Sequence, residues 1–160
     1  MPAEQLVLDH GSRWHPGLIP VVRRQPSAAG EGRPQRPVIL MIEDDQDIST
    51  MYRLQLERDG YLVHESADGH VGLELMRTLR PALVLLDLRL PGMDGFEVLR
   101  RINEAGAGAP PVMVVSNYGD PDMMRRAQEL GVSDYLVKSR VLPEELSRRV
   151  RERVKRPPLQ

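Results

Sequence analysis

The residues best suited to chemistry stand where short apolar runs end. Glu43, Asp44 and Asp45 follow VILMI (38–42), Asp87 closes ALVLLD (82–87), Ser116 closes PVMVVS (111–116) and Lys138 closes SDYLVK (133–138). Carboxylates crowded into one place repel and raise one another's pKa unless a positive charge joins them. A hard cation supplies that charge. Mg²⁺ usually takes one or two carboxylates and completes its octahedron with waters and phosphate oxygens, a demand that Asp44 and Asp87 match. An aspartate can also act as a nucleophile toward phosphorus, forming an aspartyl phosphate. A lysine ammonium and a serine hydroxyl would then hold the phosphoryl oxygens, and positioning plus charge neutralisation is most of what phosphoryl transfer needs.

For these residues to meet, the runs that end in them must lie side by side and point the same way. From Arg36 onward β-type runs alternate with helical stretches, the pattern of an α/β protein with a parallel sheet. The fifth run is YLVHE (61–65), and the runs at 38–42, 82–87 and 111–116 are continuously apolar, as central strands covered on both faces should be. Helical spacing predicts core faces at Ile48, Met51 and Leu54; Val71, Leu75 and Leu79; Phe96, Leu99 and Ile102; Met123, Ala127 and Leu130; and Leu146, Val150 and Val154. Gly60 and Gly131 are placed to end helices, Asp120–Pro121 to open one, and Pro143 with Glu144 and Glu145 to open the last. In an open doubly wound sheet ligands bind beyond the carboxyl ends of the strands. That is where the acidic, hydroxyl and lysine side chains fall.

The segments ILMIEDDQDI, LVLLDLRLPGMDGFEVL, VMVVSNYGD and GVSDYLVKS, in this order, resemble the receiver domains of two-component response regulators over about Val38 to Val154. The resemblance implies a flavodoxin-like, doubly wound five-stranded parallel sheet of order 2-1-3-4-5 flanked by five helices. It also implies that Asp87 accepts a phosphoryl group from a sensor histidine kinase or phosphotransfer protein. Asp44 and Asp87 would hold Mg²⁺, with Glu43 helping through water and the Arg89 carbonyl as a further ligand. Lys138 would grip the phosphate, and Ser116 and Tyr135 would form the coupled pair that reports phosphorylation. The signal would pass to a downstream protein, or to a second copy of the chain, through the fourth helix, fifth strand and fifth helix. Such a receiver catalyses only its own phosphoryl transfer and dephosphorylation. Two positions depart from the family pattern. Asn117 follows the hydroxyl where a small residue is common. Ser139 replaces the proline whose peptide is usually cis, and a cis bond before serine costs about 3 kcal/mol, so both isomers stay open.

Composition narrows the alternatives. The 160 residues contain no cysteine, which removes disulfides, thiolate metal sites and thiol nucleophiles and suits a reducing, cytoplasmic setting. Apolar runs of about five residues fall far short of the roughly 20 a membrane span requires, and Glu4 and Asp9 occupy the place of a signal peptide's basic stretch. Residues 1–36 carry five prolines, four glycines and a charge of 5 − 3 = +2, and read as a disordered tail in which Trp14 is the evident anchor. The remainder carries 17 − 20 = −3, so direct nucleic-acid binding is not expected, and the arginines of EELSRRVRERVKR read as a solvated helix face. The boundaries expected are a tail over 1–36, a receiver over 37–156 and a short tail over 157–160. Since the sequence stops soon after the fifth helix, output through protein contact is expected. A haloacid-dehalogenase-type phosphatase would need a second aspartate at position 89 and its nucleophile on the first strand. A flavin or dinucleotide carrier would need a glycine-rich loop after Ile42. A pseudo-receiver, binding proteins without phosphorylation, is the remaining alternative.

Overall fold

The computed structural model describes residues 35–154. Residues 1–34, with Trp14, and residues 155–160 lie outside the described residues. The elements are β1 (Val38–Ile42), α1 (Gln46–Arg58), β2 (Leu62–Ser66), α2 (Gly69–Leu79), β3 (Leu83–Leu86), α3 (Gly95–Asn103), β4 (Val112–Ser116), α4 (Pro121–Glu129), β5 (Asp134–Val137) and α5 (Pro143–Arg153). The strands form one parallel sheet in the order β2-β1-β3-β4-β5. This is the doubly wound flavodoxin-like arrangement expected from the sequence. Every residue of β3 and β4 is buried, which explains why those runs are apolar throughout rather than alternating.

Helix boundaries follow local chemistry. The Asp45 carboxylate accepts from the Asp47 and Ile48 amides, Asp68 caps α2, Asp94 caps α3 and Asp120 caps α4 just before Pro121. Gly60 and Gly131 take φ values of 97° and 78° after α1 and α4, where a side chain would be strained. Arg36, placed by the sequence in the tail, donates from Nε to Gly60 O (3.1 Å) and from Nη2 to Glu57 O (3.1 Å), satisfying carbonyls at the C-terminal end of α1.

The core lies in layers on the two sides of the sheet. Ile39, Met41, Leu83, Leu85, Met113 and Val115 face α1 and α5, whereas Leu40, Ile42, Val84, Leu86 and Val112 face α2 and α3. Each aliphatic side chain so buried stabilises the fold by about 1.5–3 kcal/mol relative to exposure. The core faces of α3 and α5 are those the spacing predicts, with Leu99, Ile102, Leu146 and Val150 fully buried. On α4, Ala127 is fully buried and Met123 and Leu130 are partly so.

Two helices depart from the prediction. In α1 the buried residues are Ser49, Tyr52 and Leu56, while Met51 and Leu54 are exposed. Positions 51 and 54 lie on the far side of a 3.6-residue turn from 49, 52 and 56. In α2 Val71 is exposed and the packed face is Gly69, Gly72, Leu73 and Met76. A Cβ on Gly72 would come within 2.5 Å of Ile42 Cδ1. Close approach of the helix to the sheet requires glycine there, and a face built on glycines is invisible to a count of apolar side chains.

Candidate functional site

Register carries the chemistry to one end of the sheet. Ile42 pairs with Leu86, so Glu43 and Asp87, each one residue further on, emerge side by side. Ser116 pairs with Val137, which sets Lys138 just beyond the β4 hydroxyl. The ends are held by the Asp87 amide donating to Ile42 O (2.9 Å) and the Glu43 amide to Ser66 O (2.9 Å).

Around the acceptor position the chain folds tightly. Asp87 Oδ1 accepts from the Arg89 amide (3.0 Å) and Oδ2 from Lys138 Nζ (3.1 Å). The LPGMDG loop returns to this point through Gly95, whose amide donates to Leu88 O (3.0 Å). A Cβ on Gly95 would meet Leu88 Cα at 2.4 Å and Asp87 O at 2.7 Å, contacts with backbone that cannot move aside. Only glycine lets α3 begin directly against the acceptor strand.

Lys138 bridges two carboxylates. Its Nζ lies 2.5 Å from Glu43 Oε2 and 3.1 Å from Asp87 Oδ2, and all three side chains are buried. Glu43 Oε1 also accepts from the Asp45 amide (3.0 Å). Burial works against the ammonium, but the bonds from Glu43 and Asp87 outweigh it and hold the lysine pKa above its usual range. For Glu43 burial is the larger influence. It overcomes the Lys138 and Asp45 hydrogen bonds and, with the nearby Asp87 charge, pushes the carboxyl up to about 7. One buried ammonium therefore serves two buried carboxylates, with the exposed Asp44 beside them. Ligand atoms of Glu43, Asp44 and Asp87 lie within 4.8 Å of one another. An all-oxygen donor set with surplus negative charge fits a hard divalent cation.

The comparisons with known proteins point the same way. Residues 39–151 match the family model described as the response regulator receiver domain. The chain belongs to this family. Among curated relatives of this receiver, the transcriptional regulatory protein AfsQ1 of Streptomyces coelicolor is 43% identical over 102 residues, covering 64% of this chain and 44% of that one. The DNA-binding response regulator MtrA of Mycobacterium tuberculosis is 39% identical over 121 residues, covering 76% and 52%. The chain thus spans about half the length of these relatives. Among solved structures, a response regulator from Chloroflexus aurantiacus superposes with TM-score 0.71 at 28% identity, covering 76% of this chain and all of that one. The Mn²⁺-bound form of response regulator Rcp1 does so with TM-score 0.61 at 29% identity, covering 71% and 88%.

Of the receiver's predicted site residues, Glu43, Asp44, Asp87 and Lys138 converge directly. Ser116 is fully buried and its Oγ accepts from the Tyr118 amide (3.3 Å), while the Tyr135 hydroxyl donates to the Tyr118 carbonyl (2.7 Å). The two predicted switch residues therefore meet at Tyr118, which the sequence did not single out. Arg89 reaches the same residue, its guanidinium carbon 4.2 Å from the Tyr118 ring centroid. The only hint in the sequence was an aromatic residue two positions after the strand-end serine. Asp45, grouped by the sequence with the acidic residues after the first run, caps α1. No cis peptide occurs among the described residues, so the Lys138–Ser139 bond is trans, and residues 138–140 form a 3₁₀ turn. On α5, Arg148 pairs with Glu145 and Glu152, while Arg149 and Arg153 pair with Asp134 (3.0 and 3.2 Å). These arginines are engaged within the chain. Among the described residues no helix is long and apolar enough to cross a membrane.

Proposed function

We propose that Asp87 takes a phosphoryl group from the phosphohistidine of a sensor histidine kinase or phosphotransfer protein. The observation that carries this reading is a buried Asp87 held by Lys138 beside Glu43 and Asp44. A carboxylate oxygen of Asp87 forms the new P–O bond as the P–N bond to the donor imidazole breaks, and the electron pair of that bond stays with the imidazole. Lys138 turns from the carboxylates toward the phosphoryl oxygens, and the Arg89 amide holds the other Asp87 oxygen in place. Asp44 and Asp87 would hold Mg²⁺, with Glu43 acting through water and the Arg89 carbonyl as a further ligand; when bound, the ion neutralises charge on the carboxylates and the phosphoryl oxygens. The chain acts on no other substrate and works in the cytoplasm. Intact-mass measurement after incubation with a small phosphodonor tests the proposal: one phosphoryl group should be gained with Mg²⁺ and none without. Gain in neither condition would favour a phosphorylation-independent binding module. Mg²⁺ should also raise the melting temperature by mass action, and Asp44→Ala should remove that rise. An undiminished rise in the variant would move the ion elsewhere.

The signalling surface in this reading is the face of α4, β5 and α5, read by a downstream protein or a second copy of the chain rather than directly by nucleic acid. Its physical basis is the meeting of Ser116 and Tyr135 at Tyr118. A phosphoryl group on Asp87 draws the Ser116 hydroxyl toward itself and loosens its bond to the Tyr118 amide. The loop after β4 and the ring of Tyr135 then settle in a different arrangement. Phosphate shifts this equilibrium only by binding the two arrangements unequally, and the new Ser116 and Lys138 contacts provide the difference. Amide chemical shifts should move at Tyr118, Tyr135 and across residues 120–150 when a beryllofluoride mimic is added. Movement confined to the neighbours of Asp87 would mean that the site binds phosphate without switching.

A further inference from the structure

Tyr52 lies beneath the acidic site with a hydroxyl that nothing yet explains. The residue is 2% exposed, and its Oη has no hydrogen-bond partner among the described residues. Leaving a buried hydroxyl unmatched costs about 1–3 kcal/mol, so buried polar groups nearly always find a partner in the protein or in ordered water. Beside it is a cavity of about 10 Å³ lined by Glu43, Tyr52 and Asp87 together with the apolar Met41, Ile42, Leu85, Leu86 and Val115. That is room for about one water molecule, and a buried water needs two to four polar partners, which these three side chains provide. Burial raises the phenol pKa, and the charges of Lys138 and Glu43 both act on it, as expected if the ring reaches the floor of the site.

We propose that this cavity holds one ordered water, accepting from Tyr52 Oη and donating to Glu43 and Asp87, and that Tyr52 is a positioning residue for the two carboxylates. The inference rests on the phosphoryl-transfer reading of Asp87 and adds to it a support from α1. Through the water, Tyr52 steadies Glu43 against the pull of Lys138, leaving it turned toward the Mg²⁺ ligands. Tyr52→Phe removes the hydroxyl and keeps the ring. Losing an outer-shell partner costs a metal site about 10–100-fold in affinity, and a partner acting through water should fall near the low end, about tenfold. The midpoint of the Mg²⁺-dependent rise in melting temperature should therefore move up about tenfold in the variant. A hydroxyl that mattered only to packing would shift the melting temperature equally with and without the ion, leaving the midpoint where it was, and that result overturns the proposal. So does a high-resolution crystal structure of the unaltered chain showing this cavity dry, a measurement that does not depend on the variant folding. If the unaltered chain gains no phosphoryl group, the reading of Asp87 fails and this role for Tyr52 fails with it. If it gains one and the variant's midpoint is unmoved, only Tyr52 is wrong.

Discussion

Asp87→Asn should abolish phosphoryl gain from a small phosphodonor, with the mass of the variant unchanged under conditions that convert the parent chain. The amide is close in size to the carboxylate and can still accept from the Arg89 amide, so the fold should survive. What disappears is the nucleophile, since a neutral carboxamide oxygen is a poor attacker and the negative charge that helps hold Mg²⁺ is lost as well. Circular dichroism would confirm that the sheet is intact. Labelling equal to the parent would place the acceptor elsewhere, and Glu43 and Asp44 would become the residues to test.

Lys138→Met should produce the largest loss of stability, and the loss should depend on pH in a defined direction. The substitution leaves Glu43 and Asp87 buried without the ammonium that both contact. Removing one partner of a buried ion pair typically costs about 3–5 kcal/mol, because the other charge stays desolvated. Glu43 is already pushed up to about 7 with the lysine present, and without it the carboxyl should rise further. A carboxyl whose folded pKa is raised contributes stability that is complete below its unfolded value and is lost as pH rises through the folded value. The deficit of the variant should therefore be larger at about pH 8 than at about pH 5, where protonation of Glu43 removes one of the two uncompensated charges. Urea unfolding at the two pH values measures it. A deficit that is small and equal at both would mean that Lys138 is solvated in solution and does not hold the carboxylates.

The sequence by itself determined the fold class, the strand runs within a residue or so at each end, the helix starts at Asp120–Pro121 and Pro143, and the residues at the strand ends. Those features depend on neighbours along the chain. A strand buried on both faces must be apolar throughout, and a helix begins readily where a side chain accepts its first amides, as at Asp120, or where proline takes the first turn, as at Pro143. The buried faces of α1 and α2 were hidden because Ser49, Tyr52, Gly69 and Gly72, which do not announce themselves as core, share them with Leu56, Leu73 and Met76. Only the tertiary structure decided how the site is wired. Lys138 spans Glu43 and Asp87 because register brings the ends of β1, β3 and β5 together at one end of the sheet, the lysine lying 51 positions beyond the acceptor along the chain. Tyr118 meets Tyr135 and Arg89, and Tyr52 comes to lie under the carboxylates, for the same reason. Such contacts depend on distances between segments remote in sequence, and no local pattern encodes them. The trans Lys138–Ser139 bond likewise became clear only in the folded chain.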